Sequence, residues 1–187
     1  MKKLTVCIDA GHTQAKGMKG DPGAVNGSRW ESVAALDMAL SLGEMFKGAG
    51  CSVVYTRTKG DPSLTLKRRC EIANKADADV FISIHLNSAE NKSATGVEVL
   101  RYGSVSSRTK DLAENVQEKL VDATGFKDRG VKIRNNLYVL KHTKMPAILV
   151  ETGFISNNEQ CEDLFSSDCQ FYIAQAIFIA TMETFRI

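Results

Sequence analysis

Short apolar runs alternate along the chain with longer segments of helical periodicity. The runs have the length of strands and are rich in branched side chains, which favours buried β-strands. They occupy residues 4–8, 51–56, 80–84, 96–102, 137–140 and 147–150. Only residues 96–102 alternate strictly between apolar and polar positions, a pattern that predicts a strand at an edge of the sheet.

Between the runs, apolar residues recur every three or four positions, as they do on one face of a helix. This periodicity predicts helices over residues 31–48, 64–76, 107–124, 157–165 and 169–185. The side chains of the first three helices that are predicted to face the core are Val33, Leu36, Leu40, Phe46, Leu66, Cys70, Ala73, Leu112, Val116 and Leu120. Strands that alternate with helices indicate a single α/β domain, residues 1–187, with a largely parallel sheet.

The composition is that of an ordinary globular domain, with 43% hydrophobic and 25% charged residues among 187. A net charge of +2 without a basic cluster argues against a nucleic-acid-binding protein. The N-terminal segment lacks the pattern of a signal peptide, and no segment is apolar over the length of a membrane span. We therefore expect a protein that is made in the cytoplasm without a signal peptide and is not inserted into a membrane.

The five cysteines are odd in number and form no Cys-x-x-Cys pair, which favours reduced thiols in the core over disulfides or a cysteine zinc site. A Cys-His nucleophile pair is an alternative. Cys7, however, lies inside an apolar strand, where a thiol stays protonated and inert.

Three predicted strands run into a side chain that can bind a metal or transfer a proton. The strand 4–8 is followed by Asp-Ala-Gly-His, which ends at His12, and two later strands run into His85 and Glu151. Because the carboxyl ends of parallel strands meet at one edge of a sheet, we expect these side chains to converge. The glycine-rich segment 13–30 has no periodicity, and a loop of this length is usually functional.

Two imidazoles and carboxylates at one edge of a sheet are typical of a catalytic zinc site, which has about three protein ligands and a water. Zinc lowers the pKa of that water from about 15.7 towards 7, so that a neighbouring carboxylate can take its proton. The pattern therefore predicts metal-assisted hydrolysis. It leaves open which acid completes the site, and the candidates are Asp9, Asp21, Glu31, Glu98 and Glu151.

A series of motifs, taken in order, resembles a known enzyme family. The motifs are IDAGH, DPGAV, a glutamate (Glu31) that opens a helix, SIHLNSA followed by GVEVL, DRGV, LYVL and MPAILVETGFISN. The chain is similar from first strand to last helix to zinc-dependent N-acetylmuramoyl-L-alanine amidases of the amidase type 3 family, which are bacterial and phage cell-wall hydrolases. The resemblance implies a twisted sheet of about six strands with helices on both faces.

Carried over by position, the resemblance makes His12, Glu31 and His85 the zinc ligands and Glu151 the catalytic carboxylate. The strand ends alone indicate His12, His85 and Glu151 but not Glu31. The implied reaction is hydrolysis of the amide between N-acetylmuramic acid and L-alanine, so peptidoglycan is the expected partner and the cell wall the expected place of action.

Other classes of protein match less well. A non-catalytic peptidoglycan-binding domain of the same fold would lack one of the four site residues. A nucleotide-binding α/β domain would carry G-x-G-x-x-G or G-x-x-x-x-G-K-[ST] after the first strand, and neither motif is present.

Several neighbouring residues are candidates for supporting roles. Asn87 lies two residues beyond His85 on an extended segment and is predicted to bind substrate, with a plain Asx turn as the alternative. Asp9 is a candidate to orient His12, with a strand-end turn as the alternative, and Gly11 is interpreted as giving room for a sharp turn. The chain departs from the family pattern at Ala10 and at Thr13-Gln14, which bears on substrate approach rather than on the ligands.

Overall fold

The computed structural model describes residues 3–13 and 20–186, so Gln14 and the rest of 14–19 lie outside the described residues. The strands in chain order are β1 (Thr5–Ala10), β2 (Val25–Asn26), β3 (Arg29–Trp30), β4 (Ser52–Tyr55), β5 (Val80–Asn87), β6 (Val97–Arg101), β7 (Asp128–Ile133) and β8 (Ala147–Phe154). The helices are α1 (Glu31–Gly48), α2 (Leu66–Lys75), α3 (Ser107–Thr124), α4 (Tyr138–His142), α5 (Asn158–Leu164) and α6 (Ser167–Phe185).

Six strands form one mixed sheet in the order β4-β1-β5-β8-β6-β7, and β2 and β3 form a separate short hairpin. The first four strands of that order are parallel neighbours, β6 is antiparallel to β8, and β7 is parallel to β6. The predicted α/β fold, with a largely parallel sheet of six strands and helices on both faces, is confirmed. The strand predicted at an edge, β6, is instead internal, and its polar position is taken by Glu98, which faces the candidate site.

The prediction of a strand over 137–140 is wrong. Leu137 precedes α4, whose Val139 and Leu140 are buried against the sheet. A short apolar run fits a strand or one turn of buried helix equally well, so periodicity could not separate the two. The sixth strand is β7, whose sequence DRGVKI is too polar to be recognised and lies half-buried at the edge of the sheet.

The two faces of the sheet are covered by helices of different length. On the first face, the helices α1, α3 and α6, of 18, 18 and 19 residues, enclose the larger hydrophobic cluster. The second face carries the smaller cluster, under α2 and α4, which have 10 and 5 residues. Part of the second face is therefore left open to a ligand.

Side chains on the second face change from apolar to polar towards the carboxyl ends of the parallel strands. Every second residue of a strand points to the same face, and the successive residues on this face are Cys7 and Asp9 in β1, Phe81, Ser83 and His85 in β5, and Leu149 and Glu151 in β8. The short helices cover the apolar part, and the polar part is the floor of the candidate site.

The predicted inward faces of the helices are only partly confirmed. Phe46, Cys70, Ala73, Leu112, Val116 and Leu120 are buried as predicted. Val33 is 37% exposed and Leu66 is 54% exposed, while Leu36 and Leu40 are half-buried. Helix α1 is apolar around much of its circumference, and it packs through its alanines and Met38 rather than through the stripe of larger residues.

All five cysteines are free, and four of them are buried. Among the described residues, no helix combines the length and the apolarity needed to cross a lipid bilayer.

The packing of α1 makes a prediction about stability. Met38 is fully buried, so Met38→Ala should lower the free energy of unfolding by about 2–5 kcal/mol through lost burial and a cavity. Val33→Ala on the same helix should change it by less than about 1 kcal/mol, because the side chain is already 37% exposed and alanine has the higher helix propensity. Urea unfolding of both variants measures this, and equal losses would contradict the observed helix orientation.

Candidate active site

The structure brings His12, His85 and Glu151 together at adjacent strands. β1, β5 and β8 are consecutive in the sheet, and His85 and Glu151 are directly opposite each other in the parallel ladder. His12 lies two residues beyond the end of β1, and its ring centroid is 5.0 Å from that of His85. The convergence expected from the strand ends is therefore present.

The turn that presents His12 is made by His12 itself. Its φ of 55° is left-handed, a conformation that costs a residue with a side chain roughly 1–2 kcal/mol. Gly11 has no positive φ, but it gives the room that was predicted for the turn, because a Cβ there would lie 2.5 Å from Cε1 of His85.

Glu31 reaches the same place from the first turn of α1. Its Oε2 accepts a hydrogen bond of 2.8 Å from the backbone N–H of Ala24, while its own N–H donates to the carbonyl of Ala24 at 2.9 Å. This reciprocal pair of hydrogen bonds fixes the carboxylate, and Glu31 as a whole is only 3% exposed. Gly23 leaves the space, since a Cβ there would lie 2.5 Å from Oε2.

The second oxygen of Glu31 lies between the two imidazoles. Oε1 is 2.9 Å from Nδ1 of His85 and 3.2 Å from Nε2 of His12, and it accepts a hydrogen bond of 3.1 Å from the N–H of Leu86. One ligand atom from each of His12, Glu31 and His85 lies within 4.8 Å of the others. Zinc bonds of about 2.0–2.2 Å place tetrahedral ligand atoms roughly 3.3–3.5 Å apart, so small adjustments suffice for these residues to hold zinc.

Asp21, and not Asp9, contacts His12. Nδ1 of His12 donates a hydrogen bond of 2.7 Å to Oδ2 of Asp21, so Nε2, which faces Glu31, is the ring nitrogen left for a metal. A carboxylate on the outer nitrogen of a ligating imidazole is the usual second partner in metal sites. Asp9 is buried and accepts from Thr56, Arg69 and Ser83, so neither role predicted for it is observed.

The charges at this centre favour an anionic carboxylate between the two rings. Burial alone would raise the pKa of Glu31, but hydrogen bonds and charge from His12 and His85 hold that pKa well below its ordinary range. For His12, burial alone would lower the pKa, because it disfavours the charged imidazolium. The contacts with Glu31 and Asp21 outweigh burial and raise the pKa of His12 above its ordinary value. The pocket therefore attracts a cation, whether a proton or a metal ion.

Glu151 has a different environment from Glu31. Its Oε2 is buried and has no hydrogen-bond partner among the described residues. Burial raises the pKa of Glu151 to about 7, and the nearby carboxylates of Glu31 and Glu98 add to the effect of burial. A carboxyl group with a pKa near neutrality can both accept and donate a proton under physiological conditions.

Glu98 is the cross-strand neighbour of Glu151 on β6. Its carboxylate accepts from Asn87 Nδ2 at 3.0 Å and from Arg129 Nε at 3.2 Å, so both oxygens have donors. Asn87 Oδ1 also accepts from the N–H of Ser88 at 2.8 Å. Asn87 thus lies on the site side of the sheet with its amide held in place, and its predicted role in substrate binding stays a prediction.

A cleft of about 400 Å³ adjoins the two histidines on the side of α2 and α4. Its polar end contains His12, His85 and Asp21. Its apolar wall is formed by Leu64, Leu66, Leu137, Val139 and Leu149. Concave sites of this kind, with a few convergent polar groups, are typical of ligand binding.

The Cys-His alternative has no support in the geometry. Burial raises the pKa of Cys7 to about 12, and the neighbouring charge of Asp9 adds to the effect. The Cys7 thiol therefore stays protonated, and a protonated thiol is a poor nucleophile.

Comparisons of the sequence and of the structure with known proteins point to the same family. The model of the family described as N-acetylmuramoyl-L-alanine amidase matches residues 6–181. The N-acetylmuramoyl-L-alanine amidase LytC of Bacillus subtilis is 35% identical over 184 residues, which are 97% of this chain and 36% of LytC. The endolysin of Bacillus phage SPP1 is 33% identical over 177 residues, which are 90% of this chain and 62% of the endolysin.

Solved structures agree with these relatives. The catalytic domain of CwlV, an N-acetylmuramoyl-L-alanine amidase from Bacillus (Paenibacillus) polymyxa var. colistinus, superposes with a TM-score of 0.88 at 36% identity. The match covers 98% of this chain and 99% of that domain.

The buried carboxyl of Glu151 makes a prediction about pH. Without metal, its pKa of about 7 lies above the ordinary value of 4.5, so between these pH values the folded chain keeps a proton that the unfolded chain releases. Stability should therefore fall as the pH rises from about 4.5 to 7, by about 3 kcal/mol from this group. Glu151→Gln should remove that slope, while Glu90→Gln, at an exposed site, should keep it.

The measurement is urea unfolding of the three proteins at about pH 5 and pH 7.5 with a chelator present. The same loss of stability in wild type and Glu151→Gln would contradict a raised pKa at this residue.

Proposed function

Because this chain belongs to the N-acetylmuramoyl-L-alanine amidase family, we propose that it hydrolyses the amide bond between N-acetylmuramic acid and L-alanine in peptidoglycan, using zinc held by His12, Glu31 and His85. The observation that carries the proposal is the meeting of these three ligand atoms beside Glu151, whose buried Oε2 has no hydrogen-bond partner in the part of the chain that the structure describes. Two histidines and a glutamate that leave a position for water are typical of catalytic zinc sites in hydrolases.

Each residue has a separate part in the proposed reaction. His12 binds through Nε2 because Asp21 occupies its Nδ1, and His85 binds through Nδ1, which faces Glu31. A bound zinc ion would polarise the scissile carbonyl and lower the pKa of the attacking water. Glu151 takes the proton of that water and passes it to the departing amine, since an amide nitrogen leaves readily only when protonated.

Substrate contacts follow from the surroundings of the metal ligands. Nδ2 of Asn87 carries two hydrogens and Glu98 accepts one, so the second can be donated to the substrate. The leucine-lined wall of the cleft can take an apolar part of the glycopeptide.

We propose that residues 1–187 form one catalytic domain that acts on the cell wall, as the names of LytC and the phage endolysin suggest for those proteins.

The reaction is tested by analysing the products of cell-wall digestion. Purified protein with about one zinc per chain should release new alanine amino termini from peptidoglycan without new reducing sugars. A chelator should abolish the release, and added zinc should restore it. New reducing ends would indicate a glycosidase, and full activity in verified metal-free protein would contradict the zinc proposal.

The role of Glu151 is tested by Glu151→Gln, which keeps the shape of the side chain but cannot accept the proton. We expect turnover to fall by about 10²–10⁴-fold, while zinc content stays near one per chain. Glu98→Gln is the matched variant, since Glu98 is the neighbouring carboxylate, and we expect a smaller loss because both of its oxygens already have donors. A larger loss in Glu98→Gln would transfer the role to Glu98.

A further inference from the structure

Two arginines are buried behind the candidate metal ligands. Arg57 follows β4 and is 4% exposed, and Arg69 lies in α2 and is 3% exposed. Neither guanidinium contacts the ligand side chains in any hydrogen bond of the described residues; both donate to the backbone that carries these side chains. Buried guanidinium groups need several acceptors to offset their lost hydration, so their partners show what they hold.

Arg57 connects the backbones of two proposed ligands. Its Nε donates to the carbonyl of Ala10 at 2.9 Å, and its Nη2 donates to the carbonyls of Gly11 and Ser32, both at 2.7 Å. Gly11 immediately precedes His12, and Ser32 immediately follows Glu31. One nitrogen atom therefore bridges the loop that ends β1 and the first turn of α1.

Arg69 holds the next part of the same loop. Its Nη2 donates to the carbonyl of His12 at 2.8 Å and to Oγ1 of Thr13 at 3.0 Å. Its Nη1 donates to the carbonyl of Ala10 at 2.7 Å and pairs with Asp9. The contacts lie on both sides of His12, whose left-handed backbone needs such external support.

Burying two arginines side by side lowers the stability of the fold unless their interactions offset the cost. Two like charges lie close together in the interior, and burial first, then the charge of Arg69, lower the pKa of Arg57 to about 10. Only one carboxylate, that of Asp9, pairs directly with either of them among the described residues. A planar guanidinium presents several donors in fixed directions, which suits it to carbonyls on two separate segments and which an ammonium cannot reproduce.

We propose that Arg57 and Arg69 are positioning residues that set the separation of His12 and Glu31 before the metal binds. Arg57 fixes the loop of His12 relative to α1, and Arg69 holds the left-handed turn. The inference rests on the proposed role of His12 and Glu31 as metal ligands, and neither arginine touches the metal or the substrate.

The test is the zinc affinity of Arg57→Lys, which keeps the charge but loses the bridge between Gly11 and Ser32. Competition with a chromophoric chelator should show zinc binding weakened by about 10–100-fold relative to wild type. The cobalt-substituted variant should also show an altered d–d absorption spectrum, because the ligand geometry has changed. Both measurements are made at a temperature where circular dichroism shows the variant fully folded.

Arg101→Lys is the matched control. Arg101 also donates to two backbone carbonyls, those of Tyr102 and Gly103, but it lies beyond the site on β6. The zinc affinity and the cobalt spectrum of the Arg101→Lys variant should equal those of wild type. A general effect of replacing a backbone-binding arginine would appear in both variants.

The outcomes separate this inference from the proposed function. If wild type binds zinc tightly and Arg57→Lys binds it equally well with an unchanged cobalt spectrum, the positioning role is wrong even if the variant melts at a lower temperature. If wild type binds no zinc, the proposed function is overturned together with this inference. If Arg57→Lys does not fold, the same titration of Arg69→Lys decides, since lysine there keeps a charge beside Asp9 but loses the contact with His12.

Discussion

Asp9 and Arg69 form an ion pair of 2.6 Å beneath the site, with both side chains almost fully excluded from solvent. Burial alone would raise the pKa of Asp9, but the charge of Arg69 and hydrogen bonds from Thr56 and Ser83 hold it below its ordinary value. Such a pair adds little net stability, because desolvation offsets much of the attraction. The main consequence of the ion pair is that it holds the guanidinium of Arg69 at the end of β1. There Nη2 of Arg69 donates to the carbonyl of His12.

The site also depends on the unequal covering of the sheet. Long helices on the first face allow a continuous core, whereas the short α2 and α4 leave the carboxyl end of the second face without a helix above it. The alternation of side chains then determines which residues line that opening. Phe81 lies four positions before His85 and Leu149 two positions before Glu151 on the same face, so the same strands form the core and carry the candidate site residues.

The sequence was most informative where periodicity and chain direction determine position. His12, His85 and Glu151 follow from strands that end at the same edge, because parallel neighbours must place their carboxyl ends together. Glu31 reaches the site from the start of a helix after a loop, and no periodicity relates it to β1; only the resemblance indicated it. The hydrogen bond of Asp21 to His12 likewise depends on how the loop folds back, although the motif DPGAV was a usable signal.

The errors have physical causes of the same kind. Residues 137–140 are apolar in either a strand or a buried helical turn, and β7 is too polar to be recognised because it lies at an edge. A left-handed conformation at His12 was not predicted, because glycine adopts a positive φ more readily than histidine does. In the structure Arg69 donates to the carbonyl of His12 and supports this conformation, so a long-range interaction overrides the local preference.

Glu98 and Glu151 are neighbouring acidic side chains that the fold places in different surroundings. They face each other across β6 and β8, where two negative charges would repel. Asn87 and Arg129 donate to the two oxygens of Glu98, whereas Oε2 of Glu151 is buried without a donor among the described residues. Burial, together with the charges of Glu31 and Glu98, raises the pKa of Glu151 to about 7. Because Glu151 also lies opposite His85, the carboxyl group whose pKa is near neutrality is next to the candidate metal ligands.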